Sequence, residues 1–133
     1  MRNQQKSTLA IDRGSKYIWL AYQQHWSTVI FPIGYIFNDK MMYFSLSEIF
    51  FKHNISTIVI GMPARQKDIQ AKIQAFIKSL ETIIDKDKVN IQTVDEDYTS
   101  VQAWEIVSNF KKNVAEDTVS AMLILERRNA LQD

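Results

Sequence analysis

Two very short polar breaks near the amino end restrict this fold more than any other feature. Arg13-Gly14-Ser15-Lys16 and Gln24-His25-Trp26-Ser27 separate three apolar runs, Thr8 to Asp12, Tyr17 to Gln23 and Thr28 to Phe37. Such breaks can close a hairpin but cannot carry a chain across a sheet, so the three runs are expected as antiparallel neighbours. The period then changes. Ser45 with Glu48 makes a capping-box signature ahead of Leu46, Ile49, Phe50 and His53 at helical spacing. Ser56 to Ile60 is rich in β-branched residues and closed by Gly61-Met62-Pro63, which predicts a buried strand and a turn. Ile69, Ile73, Phe76, Ile77, Leu80 and Ile84 mark one face of a second helix, with Lys72, Lys78 and Glu81 off it. Lys88 to Val94 reads as a fifth strand. Thr99 with Gln102 is a second capping-box signature before Ala103, Val107 and Phe110, and a last helix is expected from Glu116 to Leu131.

Strand, helix and strand again, twice over, imply right-handed crossovers and parallel pairing of strands one, four and five. The expected architecture is a single α/β domain over residues 1–133. Its sheet is mixed and five-stranded, in the order 3-2-1-4-5, with helices on its faces.

Composition narrows the chemistry. A chain of 133 residues that is 46% hydrophobic can bury one core unaided. It has no cysteine, which excludes disulfides, thiolate zinc sites and cysteine nucleophiles and suits a reducing cytoplasm. His25 and His53 are its two histidines, so a catalytic metal would rest on carboxylate oxygens, favouring Mg²⁺ or Mn²⁺ over zinc. Residues 1–7 are polar, and no later stretch has the length and apolarity of a membrane span, so a soluble protein with no membrane partner is expected. Sixteen basic against fifteen acidic residues leave a formal charge of +1, so any nucleic-acid surface must be local.

Parallel strands send their carboxyl ends to one edge of a sheet, where open α/β folds bind ligands. Asp12, Gly61-Met62-Pro63 and Asp95-Glu96-Asp97 are expected to meet there. With strand four between them, strands one and five stand about 10 Å apart, twice the inter-strand spacing. Asp117 opens the last helix, which could bring it to the same place. Gathered carboxylates repel one another unless a divalent ion compensates them, and such an ion suits phosphodiester hydrolysis. Each acid also has a plainer reading: Asp12 as a turn residue, Asp95 to Asp97 as a solvated run, and Asp117 as a complement to the helix dipole. Arg13, Lys16, Arg65 and Lys67 are expected on loops flanking this edge, as contacts for a phosphate backbone. His25 and His53 read as a hairpin residue and a helix-end residue. Trp19, Trp26 and Trp104 read as semi-buried packing residues, and the Met41-Met42 and Phe50-Phe51 pairs as core or edge packing.

Five segments carry a resemblance to a known family: Leu9-Ala-Ile-Asp-Arg-Gly-Ser-Lys16, Phe31-Pro-Ile-Gly34, Ile58-Val-Ile-Gly-Met-Pro63, Asp95-Glu96, and Asp117-Thr-Val-Ser-Ala-Met-Leu-Ile-Leu125. In order and spacing the chain resembles the YqgF/RuvX proteins over nearly its whole length. The resemblance implies an RNase H-like fold and a Mg²⁺- or Mn²⁺-dependent nuclease that matures the end of precursor 16S ribosomal RNA. A second implied substrate is branched DNA, cut by a Holliday junction resolvase acting as a homodimer; monomer and homodimer both stay open. The resemblance assigns Asp12, Glu96 and Asp117 as metal ligands and catalytic residues, with Asp95 beside them. Four departures stand out: Asp97 replaces the family's usual Arg, Tyr98 displaces the paired hydroxyls to Thr99-Ser100, Trp19 replaces a glycine, and the loop after Pro63 lacks the usual Asn and Gly. They motivate a non-catalytic RNase H-like binding domain as an alternative. The opening Asp-x-Gly-x-Lys is shared with nucleotide-binding domains of the actin and sugar-kinase type, which need two such domains where this chain supplies one.

Overall fold

The computed structural model describes residues 6–95 and 116–132, the side chains of 116–118 and 132 excepted. The expected helix carrying Ala103, Val107 and Phe110 and its capping box lie outside the described residues, as do Glu96, Asp97 and Trp104. In chain order come β1 (Ser7–Arg13), β2 (Tyr17–Gln24), β3 (Ile30–Phe37), α1 (Met42–Lys52), β4 (Ile55–Met62), α2 (Lys67–Glu81), β5 (Asn90–Asp95) and α3 (Glu116–Gln132).

The sheet runs β3-β2-β1-β4-β5. β1 pairs antiparallel with β2 and β2 with β3, whereas β4 is parallel to both β1 and β5. The short breaks act as reasoned: the Gly14 amide donates to the Tyr17 carbonyl at 2.8 Å, and the Ser27 amide to the Gln24 carbonyl at 3.0 Å. Two bulges adjust the register. Ser56 is extra in β4 between the pairs Ser7↔Ile55 and Thr8↔Thr57, and Ile33 is extra in β3 beside Gly34, whose φ of 112° a side chain would oppose.

Strand alternation sorts the side chains onto two faces. Leu9 and Ile11, Ile18 and Leu20, Ile58 and Ile60 share one face with Met42 and Leu46 of α1 and Ile73, Phe76 and Leu80 of α2. Ala10, Ala21, Val59 and Val94 lie on the other, under Ala121, Met122, Ile124 and Leu125 of α3. The central strands are thus buried on both sides, as their continuous apolar runs require. Each fully buried Leu or Ile contributes about 1.5–3 kcal/mol relative to exposure. The small Ala10 and Ala21 let α3 lie close to the sheet.

Several local expectations are corrected. α1 begins at Met42, with no side-chain cap at Met41, so Ser45 and Glu48 are interior residues and not a capping box. The chain enters that helix through Asp39, whose carboxylate accepts from the Met41 amide at 2.9 Å. β3 starts at Ile30, because Ser27 turns the chain and its hydroxyl takes the Val29 amide at 3.0 Å. β5 starts at Asn90, since the Lys88 and Val89 amides both bond the Asp85 carbonyl in a turn. α2 stops at Glu81 rather than reaching Ile84. α1 ends at Lys52 with His53 as its C-cap, and Asn54 follows at φ 51°, the left-handed conformation that stops helices. The paired apolar residues split: Met42 is buried and Phe50 half-buried, while Met41 and Phe51 are exposed. Trp26 is 67% exposed and is not a packing residue.

Candidate active site at the carboxyl edge of the sheet

Asp12 is the penultimate residue of β1 and is half-buried. Strand alternation gives it the face of Ala10, the one covered by α3. Its cross-strand partner is Trp19. One step earlier Ile11 pairs with Ile60, so Asp12 stands level with Gly61 of β4, and Gly61 in turn pairs with Val94 of β5. At that level β4 puts no side chain between β1 and β5, whose backbones stand about 10 Å apart.

The turn behind Asp12 is held firmly. The Asn38 side-chain amide donates to the Gly14 carbonyl at 2.8 Å, and its backbone amide to the Lys16 carbonyl at 2.9 Å. A Cβ at Gly14 would stand 2.8 Å from the Tyr17 carbonyl oxygen, so any side chain here forces the turn to shift.

α3 covers the face of the sheet that carries Asp12. Near its carboxyl end, the Asn129 side-chain amide donates to Gln23 Oε1 at 2.9 Å, and Gln23 pairs with Thr8 at the start of β1. From there the helix runs back over all five strands, and its twelve residues from Asn129 to Asp117 span about 18 Å. Asp117 is the second residue of that helix.

Asp95 ends β5, paired with Met62 and exposed. It alternates with Val94 and therefore sits on the face of Ile91, opposite to Asp12. Of the cations expected on flanking loops, Lys16 is exposed in the β1–β2 turn and Arg65 is exposed after β4, whereas Lys67 is the first residue of α2. Arg13 is not a loop residue: it ends β1, with its guanidinium 5.5 Å from the centroid of the Phe76 ring on the face opposite to Asp12. Among the described residues no group of three or more acids, histidines or cysteines could hold a metal ion. Glu96 and the side chain of Asp117 lie outside that description. Also among them, no helix is long and apolar enough to cross a membrane.

Two features escape the sequence reading. Tyr17, Trp19, Tyr35 and Phe37 form an aromatic cluster beside Asp12, with ring centroids 4.9–5.7 Å apart; aromatics at every second position of two hairpin strands were its signal. At the opposite edge, Thr8, Gln23, Gln24, His25, Ser27, Arg128 and Asn129 line a polar cleft of about 250 Å³. There Thr8 Oγ1 and His25 Nε2 are 3.1 Å apart. Partial burial, then the charges of Arg128 and Lys6, push the His25 pKa down from the usual 6.5. His53 is also lowered, by burial and then by Lys52.

A β3-β2-β1-β4-β5 sheet with helices on both faces, β1 antiparallel to β2 and parallel to β4, is the RNase H-like fold. The same fold is seen in the fowlpox virus Holliday junction resolvase. Its structure alone matches with a TM-score of 0.57 at 16% identity, covering 94% of this chain and 99% of that one. Its complex with Holliday junction DNA gives 0.57 at 12%, covering 96% and 99%. The family follows from the sequence: residues 6–129 match the model of the RuvX family, described as Holliday junction resolvase, and the chain belongs to that family. Relatives named "Putative pre-16S rRNA nuclease" include one from Sulfurihydrogenibium sp. (strain YO3AOP1), 30% identical over 125 residues, 89% of this chain and 86% of that protein. Another, from Malacoplasma penetrans (strain HF-2), is 30% identical over 137 residues, covering 95% of each.

Proposed function

We propose that this protein is a cytoplasmic, divalent-ion-dependent nuclease that cleaves phosphodiester bonds in maturing the 5′ end of precursor 16S ribosomal RNA. The observation that carries the reading is similarity over nearly the whole chain to relatives bearing the pre-16S rRNA nuclease name. The half-buried Asp12, facing α3 at the carboxyl edge of the sheet, supports it. Asp12, Glu96 and Asp117 are the residues that would hold Mg²⁺ or Mn²⁺, and their hard oxygen donors fit such ions. Bound there, the ion supplies positive charge for the phosphate oxygens and makes a water a better nucleophile. The pairing of β1 with β2 and the Gly14 turn fix the face of the sheet on which the Asp12 side chain stands. Lys16, Arg65 and Lys67 contact the phosphate backbone along this edge. Asp95 supports the site from the far side of the strand, and Arg13 holds Phe76 rather than substrate.

Asp12→Asn tests this reading. It should abolish Mg²⁺- or Mn²⁺-dependent cleavage of a precursor ribosomal RNA and weaken Mn²⁺ binding, while the thermal midpoint stays level or rises slightly because a repelling charge is gone. Intact cleavage by the variant defeats the assignment.

The description of the matched family favours a second reading, in which the same site resolves branched DNA. Resolution needs two active sites on opposing strands and hence a homodimer. Dimeric mass in solution with cleavage of a four-way junction supports it; a monomer inactive on junctions rejects it.

A further inference from the structure

We propose that Tyr17, Trp19, Tyr35 and Phe37 form a stacking platform for unpaired bases, so that the substrate presents a single-stranded stretch beside Asp12. The inference rests on the nuclease reading for its biological meaning, but the platform is defined by its own geometry. Cross-strand register places Tyr17 opposite Phe37 and Trp19 opposite Tyr35, so all four rings project from one face. Ring centroids are 4.9 Å apart for Tyr17 and Tyr35, 5.0 Å for Trp19 and Tyr35, and 5.7 Å for Tyr17 and Phe37. This is the face of Asp12, whose cross-strand partner is Trp19 itself.

The platform lies toward the carboxyl edge from the part of the face that α3 covers. Under the helix the sheet presents Ala10, Ala21 and Val59; toward Asp12 the small residues give way to rings. Trp19 is half-buried and packs against that helix-covered cluster, which anchors the platform, while Tyr35 is 49% and Phe37 52% exposed. A cluster that served only to close the core would be buried. Aromatic faces stack on any base, but a base inside a duplex has no free face to offer. The Lys16 ammonium, 5.5 Å from the centroid of the Tyr17 ring, supplies a cation for the phosphates that must accompany stacked bases. Exposed rings rimmed by a cation, next to an acid proposed to act on phosphodiesters, fit an unpaired strand better than a second protein surface.

The experiment measures binding of a short fluorescein-labelled oligouridylate to the full chain in EDTA, by anisotropy, with a duplex of matched length as comparison. Tyr35→Ala and Phe37→Ala should each weaken single-strand binding about five- to a hundredfold, the range that stacking of one base on a ring provides. Tyr35→Phe should restore it, and duplex binding should not change. Unchanged single-strand affinity in both alanine variants overturns the platform, and so does an equal loss for the duplex. A fall in thermal midpoint with unchanged affinity assigns the rings to packing, and a wild-type dimer lost in Tyr35→Ala assigns them to a second copy of the chain; either result rejects the proposal. Because no divalent ion is present, the two readings fail separately. Full cleavage by Asp12→Asn sinks the nuclease assignment and leaves the platform standing, whereas indifference to Tyr35 sinks the platform even if Asp12→Asn is inactive.

Discussion

Replacing Gly14 by alanine should destabilise the protein through one identifiable contact. The added Cβ would lie 2.8 Å from the Tyr17 carbonyl oxygen, and that oxygen is backbone held in the β2 pairing, so it cannot swing aside. Relief requires the turn to open. That stretches the Gly14 amide bond to the same oxygen, now 2.8 Å, and displaces the Gly14 carbonyl from the Asn38 side-chain amide, also 2.8 Å away. Each weakened hydrogen bond is worth about 0.5–1.5 kcal/mol. Residual strain of the kind caused by an inserted methyl group brings the total to about 2–3 kcal/mol. With a urea dependence of about 2 kcal/mol per molar, the unfolding midpoint should fall by about 1–1.5 M at unchanged slope. Urea titration followed by tryptophan fluorescence reads this directly. Asn38→Ala provides the comparison: it removes one of the two bonds without the clash and should give about a third to a half of the shift. If Gly14→Ala unfolds at the wild-type midpoint, the close approach does not govern the turn and the reasoning fails.

Three further outcomes can be checked. Leu20→Ala empties a fully buried position between the sheet and the helices α1 and α2, and should cost about 2–5 kcal/mol in the same titration. Asp95→Asn should retain most cleavage while Glu96→Gln loses it, because Asp95 alternates onto the face opposite Asp12; equal loss in both refutes the parity argument. The pH dependence of stability should carry a histidine contribution. With folded-state pKa values below 6.5, His25 and His53 take up protons more readily when unfolded, so their contribution is complete above about pH 6.5 and is lost as pH falls below it. Thermal midpoints should therefore drop less between pH 7 and pH 5 in His25→Gln than in the wild type, and an equal drop would discount His25.

Most of the sheet was legible because its determinants are local and periodic. The two hairpin breaks force antiparallel neighbours and the two strand–helix–strand passages force parallel ones, which leaves one strand order. The helix starts were less legible. Ser45 and Glu48 match a capping box in spacing, yet Asp39 turns the chain earlier and the helix begins at Met42. Such competition between neighbouring turn formers is decided by which carboxylate or hydroxyl reaches an amide first, and composition does not carry that distance. The acid at the end of β1 was legible as a candidate from its place at the carboxyl end of a parallel strand. Arg13 was misassigned to a loop because the β1–β2 pairing extends one residue further than the apolar run, and that residue's guanidinium finds the Phe76 ring across the chain. The aromatic cluster was visible only as scattered rings until register placed Trp19 opposite Tyr35.

The position of the proposed acid on α3 depends on residues far from the chemistry. A helix is stiff along its axis, so its amino end goes where its body and carboxyl end are held. The carboxyl end is tied to the far edge of the sheet by Asn129 and Gln23, beside the cleft that Arg128, His25 and Thr8 line. Its height above the sheet is set by Ala10 and Ala21, neither of which has bulk beyond Cβ. Larger side chains there would lift α3, and a helix lifted at its middle also moves Asp117 at its amino end. A displacement of about 1 Å among reacting groups can reduce rate about a hundredfold. In the proposed three-acid site, small residues under the helix and an amide clamp at the opposite edge would therefore help set the geometry of the acids, although none of them comes near a phosphate.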